Sequence, residues 1–146
     1  MRSLLKWVTL CLALGALVVG AAGTAAPETR DGMFIHVSCG PESPHRVLMA
    51  LNMAKIMSET HPVLVYFDIK GVEVVLKDAK DITHPSFPSS KEQIPALVKQ
   101  GVTLMACPGC LKAAGKTPAD LAAGIQVANK DKFFSFTAGR IITLDY

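Results

Sequence analysis

Beyond residue 32 the chain alternates short apolar runs with longer periodic stretches. Met33-Phe34-Ile35-His36-Val37-Ser38 reads as a strand that ends at Cys39-Gly40-Pro41. Pro62-Val63-Leu64-Val65-Tyr66-Phe67 is almost continuously apolar, as expected of a strand covered on both faces. Val102-Thr103-Leu104-Met105-Ala106 and Ile141-Ile142-Thr143-Leu144 read as two more strands. Between the first two runs, residues 42–60 carry a helical period. Met49, Met53 and Met57 recur every fourth position beside Val47, Ala50, Ala54 and Ile56, while Asn52, Lys55 and Glu59 share the opposite side. The apolar arc of this helix is wider than one sheet contact requires, which predicts burial against a second element or a second subunit.

The remaining segments are shorter. Gly71 to Lys77 fits a short helix or a strand equally. Thr83 to Ser90 has loop composition. Ser90 is placed to cap a helix over 91–100 that Gly101 stops. Cys107 closes the third strand, and Pro108 to Ala114 reads as a short helix ended by Gly115. Thr117-Pro118 is a helix cap followed by proline at the first helical position. Gly124 to Ala128 is short and apolar, and a helix is predicted over 131–138. Strands and helices alternating at this spacing predict a single α/β domain built on a mostly parallel sheet with helices on both faces. No internal repeat, low-complexity tract or domain linker interrupts it.

Composition changes this picture at one end only. Half of the residues are hydrophobic and 18% are charged, and much of the apolar excess lies in the first 26 residues. Arg2 and Lys6 precede an apolar run from Trp7 to Ala22, and small residues follow. This is the order of parts in a secretory signal peptide over residues 1–25, with the cut after Gly23 or Ala25. The run is also close to the roughly 20 residues of a membrane span, so an uncleaved anchor is the alternative, and membrane association is expected only in that case. Export predicts a periplasmic or secreted protein, with residues 26–146 as the folded domain. Without Arg2 and Lys6 the chain has 13 basic and 12 acidic residues, a net of +1. That balance gives no basic surface for a nucleic-acid partner.

Four cysteines remain to be accounted for. Cys11 lies in the leader, which leaves Cys39, Cys107 and Cys110. An odd number of thiols in an exported chain leaves at least one unpaired or reactive. Cys107 sits where a strand hands over to a helix, with Pro108 at the first helical position. Its sulfur would then face unpaired backbone N–H groups and the positive end of the helix dipole, both of which favour thiolate. Cys110 is one turn further along the same side, close enough for a disulfide or a shared metal. Cys39 also ends a strand. If its strand neighbours that of Cys107, all three thiols lie on one rim of the sheet, where such folds build their sites; an isolated buried Cys39 is the alternative. Among the histidines, His36 reads as a sheet residue, and His45 and His84 as ordinary helix-start and loop residues.

Met105-Ala106-Cys107-Pro108-Gly109-Cys110 matches the M-x-C-x-x-C pattern of copper carriers, whose thiolate and thioether ligands suit Cu(I). Those carriers place the motif after their first strand, whereas 36 residues follow it here. Thioredoxins also place their motif early, and put an aromatic residue where this chain has Ala106. A strand ending in Ala106-Cys107-Pro108-Gly109-Cys110-Leu111-Lys112-Ala113-Ala114-Gly115 resembles instead the DsrE/DsrF-like family, which includes the sulfur-relay subunits DsrE and TusD. The resemblance extends through Met33-Phe34-Ile35-His36-Val37, Val63-Leu64-Val65-Tyr66-Phe67 and the Phe133-Phe134 to Leu144 ending. It implies a five-stranded, mostly parallel sheet flanked by helices, assembled as trimers or hexamers. It also implies that Cys107 carries sulfur as a persulfide received from a partner protein or a small sulfane-sulfur compound. Cys110 has no counterpart in the relay subunits, and the leader departs from their cytoplasmic setting.

The leading expectation is therefore sulfur handling at Cys107, with Cys110 as resolving thiol, Cys39 resolving or shielding the pair, and no cofactor. A thiol–disulfide redox or redox-sensing protein, a copper or zinc module using Cys107, Cys110 and Cys39 or a histidine, and a non-catalytic oligomeric module with a structural disulfide stand as alternatives.

Overall fold

The computed structural model describes residues 29–146. The expected leader over residues 1–25, and Cys11 within it, lie outside the described residues. Five strands form one sheet: β1 (Gly32–Val37), β2 (Val63–Phe67), β3 (Thr103–Ala106), β4 (Gln126–Val127) and β5 (Ile141–Asp145). The spatial order is β4-β3-β2-β1-β5, and every ladder is parallel. The helices are α1 (Pro44–Met57), α2 (Ser90–Lys99), α3 (Pro108–Ala113) and α4 (Lys130–Ser135), with 3-10 turns at Ile69–Val75 and Pro118–Asp120.

The two faces of the sheet are unequally covered. On one, Ile35, Val37, Val65, Phe67, Leu104 and Ala106 meet α1 and α2 through Val47, Leu48, Leu51, Ala54, Ile94 and Leu97, all buried. Burying one such Leu, Ile or Phe stabilises the fold by roughly 1.5–3 kcal/mol, and this face holds most of the core. On the other, Leu64, Met105 and Ala128 are buried beneath Phe34, Tyr66, Phe133 and Phe136. The only helix on this face among the described residues is the short α4 (through Phe133). The wide apolar arc expected of α1 is used in part by α2, which packs beside it, while Met49 and Ile56 stay exposed.

The ambiguous segment after β2 is the Ile69–Val75 3-10 turn. Its backbone lies directly on the end of β1: a Cβ at Gly71 would overlap the Val37 carbonyl oxygen. Asp68 N–H also donates to that carbonyl, at 3.2 Å. The cap of α2 falls one residue earlier than expected, at Ser89. Ser90 is buried instead, its hydroxyl accepting from Ile82 N–H and donating to Asp81.

At the edge, β5 is fixed to the lead-in of β1. Arg140 grips Asp31 through Nε and Nη2, and the Thr137 hydroxyl donates to Arg30 carbonyl oxygen at 2.6 Å.

Candidate functional site

In a parallel sheet every strand delivers its C-terminal end to the same edge, and the residues just beyond β1, β2, β3 and β5 meet there. Cys107 follows β3 and caps α3. Its backbone N–H continues the ladder by donating to Phe67 carbonyl oxygen at 2.8 Å. Its sulfur accepts from Cys110 N–H at 3.3 Å. Pro108 and the short turn that Gly115 closes at φ +68° put Cys110 one turn behind it. Both cysteines are free thiols and partly exposed.

Their environments differ. Burial pushes the Cys107 thiol up, but hydrogen bonds from the Tyr66 hydroxyl, the Cys110 thiol and the backbone N–H groups of Cys110 and Gly109 outweigh it and hold the group below its ordinary value. Cys110 is pushed above its ordinary value by burial and by donating to Cys107; Ile69 N–H works against this. Ile69 is the lip of the site. It is a β-branched residue at φ 47°, a conformation that side chains of its kind rarely adopt, and strain of this kind collects at functional edges. Tyr66 complements Cys107: burial, and then its bond to the cysteine, drive the phenol well above its ordinary range, so it stays a donor.

Tyr66 leads to a second set of residues. The His36 ring stacks on it, with centroids 5.8 Å apart and planes 23° apart. His36 Nδ1 is 2.8 Å from Asp145 Oδ1 at the end of β5. Its Nε2 is 2.9 Å from Asp68 Oδ1 just beyond β2, an ion contact angled outside good hydrogen-bond geometry. Desolvation pulls the His36 pKa down, but the two carboxylates outweigh it and raise it above the ordinary value.

Cys39 is placed differently. It too stands at the C-terminal edge of the sheet, two residues past the end of β1, but β2 lies between its strand and that of Cys107. It is buried, and burial raises its thiol despite the nearby Arg46. Among the described residues no group of three or more His, Cys, Asp or Glu side chains is gathered to hold a metal ion. His45 and His84 lie elsewhere, stacked face to face at 4.7 Å beside Phe87.

The sequence reading singled out Cys107 and Cys110 and missed Tyr66, Asp68 and Asp145. A signal for them existed: Tyr66 carries the only polar side chain in the Val63–Phe67 run, and Asp68 and Asp145 each stand at a strand end.

Several solved structures share this architecture. The YchN protein from E. coli superposes with a TM-score of 0.61 at 12% identity, covering 80% of this chain and all of that one. A protein of unknown function from Methanobacterium thermoautotrophicum, MTH1491, gives a TM-score of 0.56 at 21% identity over 79% of this chain and 99% of its own. At these identities the likeness is one of fold. No curated protein matches the sequence. The family model of the DsrE/DsrF-like family, however, matches residues 31–138, almost the whole described domain, and the chain belongs to the DsrE/DsrF-like family.

Proposed function

We propose that this protein carries sulfane sulfur as a persulfide on Cys107 and that Cys110 is the resolving thiol. The observation that carries the reading is the asymmetry of the pair: the Cys107 sulfur accepts from Cys110 N–H at 3.3 Å and is held below its ordinary value, while the Cys110 thiol is pushed above its own. A nucleophile and a resolver need that division, because the attacking sulfur must be thiolate while its partner is held in reserve.

In the first step the Cys107 thiolate attacks the outer sulfur of a donor persulfide, R–S–SH. The Cys107–sulfur bond forms, the donor S–S bond breaks, and R–S⁻ leaves. In the second step Cys110, as thiolate, attacks Cys107 Sγ. The Cys107–Cys110 disulfide forms and HS⁻ leaves. An external dithiol then reduces the disulfide and is itself oxidised. Family membership, generally associated with sulfur relay, supports the reading. Thiol–disulfide exchange without sulfur transfer is the second reading, favoured by Cys110 lying one turn behind Cys107.

The wider proposal is that the chain is exported by its leader to the periplasm or beyond, where N-terminal sequencing should find a start at Thr24 or Ala26. It also holds that the chain acts as a homo-oligomer, and that its partner is a protein or small-molecule sulfur donor. The deciding experiment is mass spectrometry of the Cys107 peptide after exposure to polysulfide. A reductant-reversible gain of sulfur is expected in wild type, prolonged in Cys110→Ser and absent in Cys107→Ser. Loading that survives Cys107→Ser overturns the assignment, and a Cys107–Cys110 disulfide with no sulfur gained favours the second reading.

A further inference from the structure

Asp145, His36, Tyr66 and Cys107 come from four separate chain segments. In the ladders His36 is paired with both Tyr66 and Asp145, and Tyr66 with Met105. Paired residues in a parallel sheet point to one face, so Asp145, His36, Tyr66 and Met105 form a row across the sheet. Cys107 lies two residues beyond Met105, a diagonal that an aromatic side chain can bridge. A histidine held at both nitrogens by carboxylates carries a desolvation penalty that an apolar residue in a sheet would avoid. Its place in the row indicates a role there.

We propose that His36 and Tyr66 are positioning residues for Cys107: His36, clamped by Asp68 and Asp145, fixes the Tyr66 ring by stacking so that the phenol is held toward Cys107 along the diagonal of the sheet, and the charge of His36 sets the pH range in which that sulfur is reactive. The proposal rests on the reading of Cys107 as the reacting thiol. The groups facing His36 are Asp68 from the end of β2, Asp145 from β5 and Tyr66 from β2, with Cys107 and Cys110 beyond Tyr66. While His36 is protonated it offsets one of the two carboxylates. Once it is neutral, both act on the sulfurs uncompensated, and Asp68 already pushes Tyr66 and Cys110 upward. The Cys107 thiolate therefore gains support at the acid end of its titration and loses it as His36 deprotonates. Its reactivity should rise with pH in two stages rather than one.

The test is the rate of iodoacetamide alkylation at the Cys107 peptide, followed by mass spectrometry between about pH 5 and pH 10, in a Cys110→Ser background. The parent should show two inflections. Tyr66→Phe should slow alkylation about tenfold on the acid side, equivalent to about one unit of upward shift in the Cys107 pKa. His36→Gln should slow it about threefold and leave a single ionisation, a loss of part of one such unit. Asp145→Asn, altering a side chain that is 73% exposed, should fold normally and move the His36 inflection to lower pH. A parent profile with a single inflection overturns the proposal. Profiles unchanged in Tyr66→Phe and Asp145→Asn overturn it too, even if melting temperatures fall, and these two variants decide the matter if His36→Gln does not fold. If the shifts appear but wild type takes up no sulfur, the carrier reading fails and the positioning role stands.

Discussion

At the scale of single residues, the His36 clamp couples the site to the stability of the fold. Its pKa is raised in the folded state from an ordinary 6.5. The stabilisation it gives is complete below that value and is lost as pH rises through the higher folded value. Denaturant melts across the neutral range should therefore show stability declining with rising pH, and Asp145→Asn should flatten the decline. At the acid end the sign reverses. Asp31, Glu42, Asp81 and Asp120 are all held below their ordinary values, by Arg140, by Gly40 N–H, by Lys91 N–H and by Thr117 respectively. Their contributions are lost as pH falls through those depressed values. Of the residues in this network, the cysteine pair was legible in the sequence, because its chemistry is local: two thiols, a proline and a turn. Tyr66, Asp68 and Asp145 were not, because what joins them is strand order. His36 and Asp145 are 109 positions apart, and nothing local says that β5 lies beside β1.

At the scale of elements, four of the five strands were readable from their apolar runs, the two-residue β4 within the short apolar stretch 124–128 being the exception, and the helix α1 from its period. The Ile69–Val75 turn was not, since Val72, Val74 and Val75 satisfy a period of two or of three. Its form is decided by close approach to β1 at Gly71, a tertiary contact. The start of α2 shows a similar override. The favoured cap was Ser90, yet the carboxylate that satisfies Lys91 N–H, at 3.0 Å, belongs to Asp81 across the loop. Asp81 also receives the Ser90 hydroxyl at 3.2 Å. Asp81→Ala should thus destabilise the fold, as the loss of a helix cap does, measurable as a lower denaturation midpoint with an unchanged slope.

At the scale of the whole molecule, the parallel sheet with flanking helices was legible, because alternation of strand and helix leaves few topologies open, while its count of five strands came from the family resemblance. The unequal covering of the two faces was not, since it depends on where the short α4 lands. The segment that includes α4 and β5 leaves Phe134 at 73% and Ile142 at 47% exposure, more apolar surface than a short stretch usually leaves to water. If the protein assembles with copies of itself through this region, sedimentation should give a trimer or hexamer, and Phe134→Asp should shift it toward the monomer without unfolding the chain. The position of β5 has a further consequence, one of time. During synthesis β1, β2 and β3 appear in the order in which they pair, and each can join the sheet as it emerges. The slot on the other side of β1 stays open until Ile141–Asp145 has been made. Until then His36 has one carboxylate instead of two, and a nascent chain that already carries both thiols has not yet acquired the clamp that governs them.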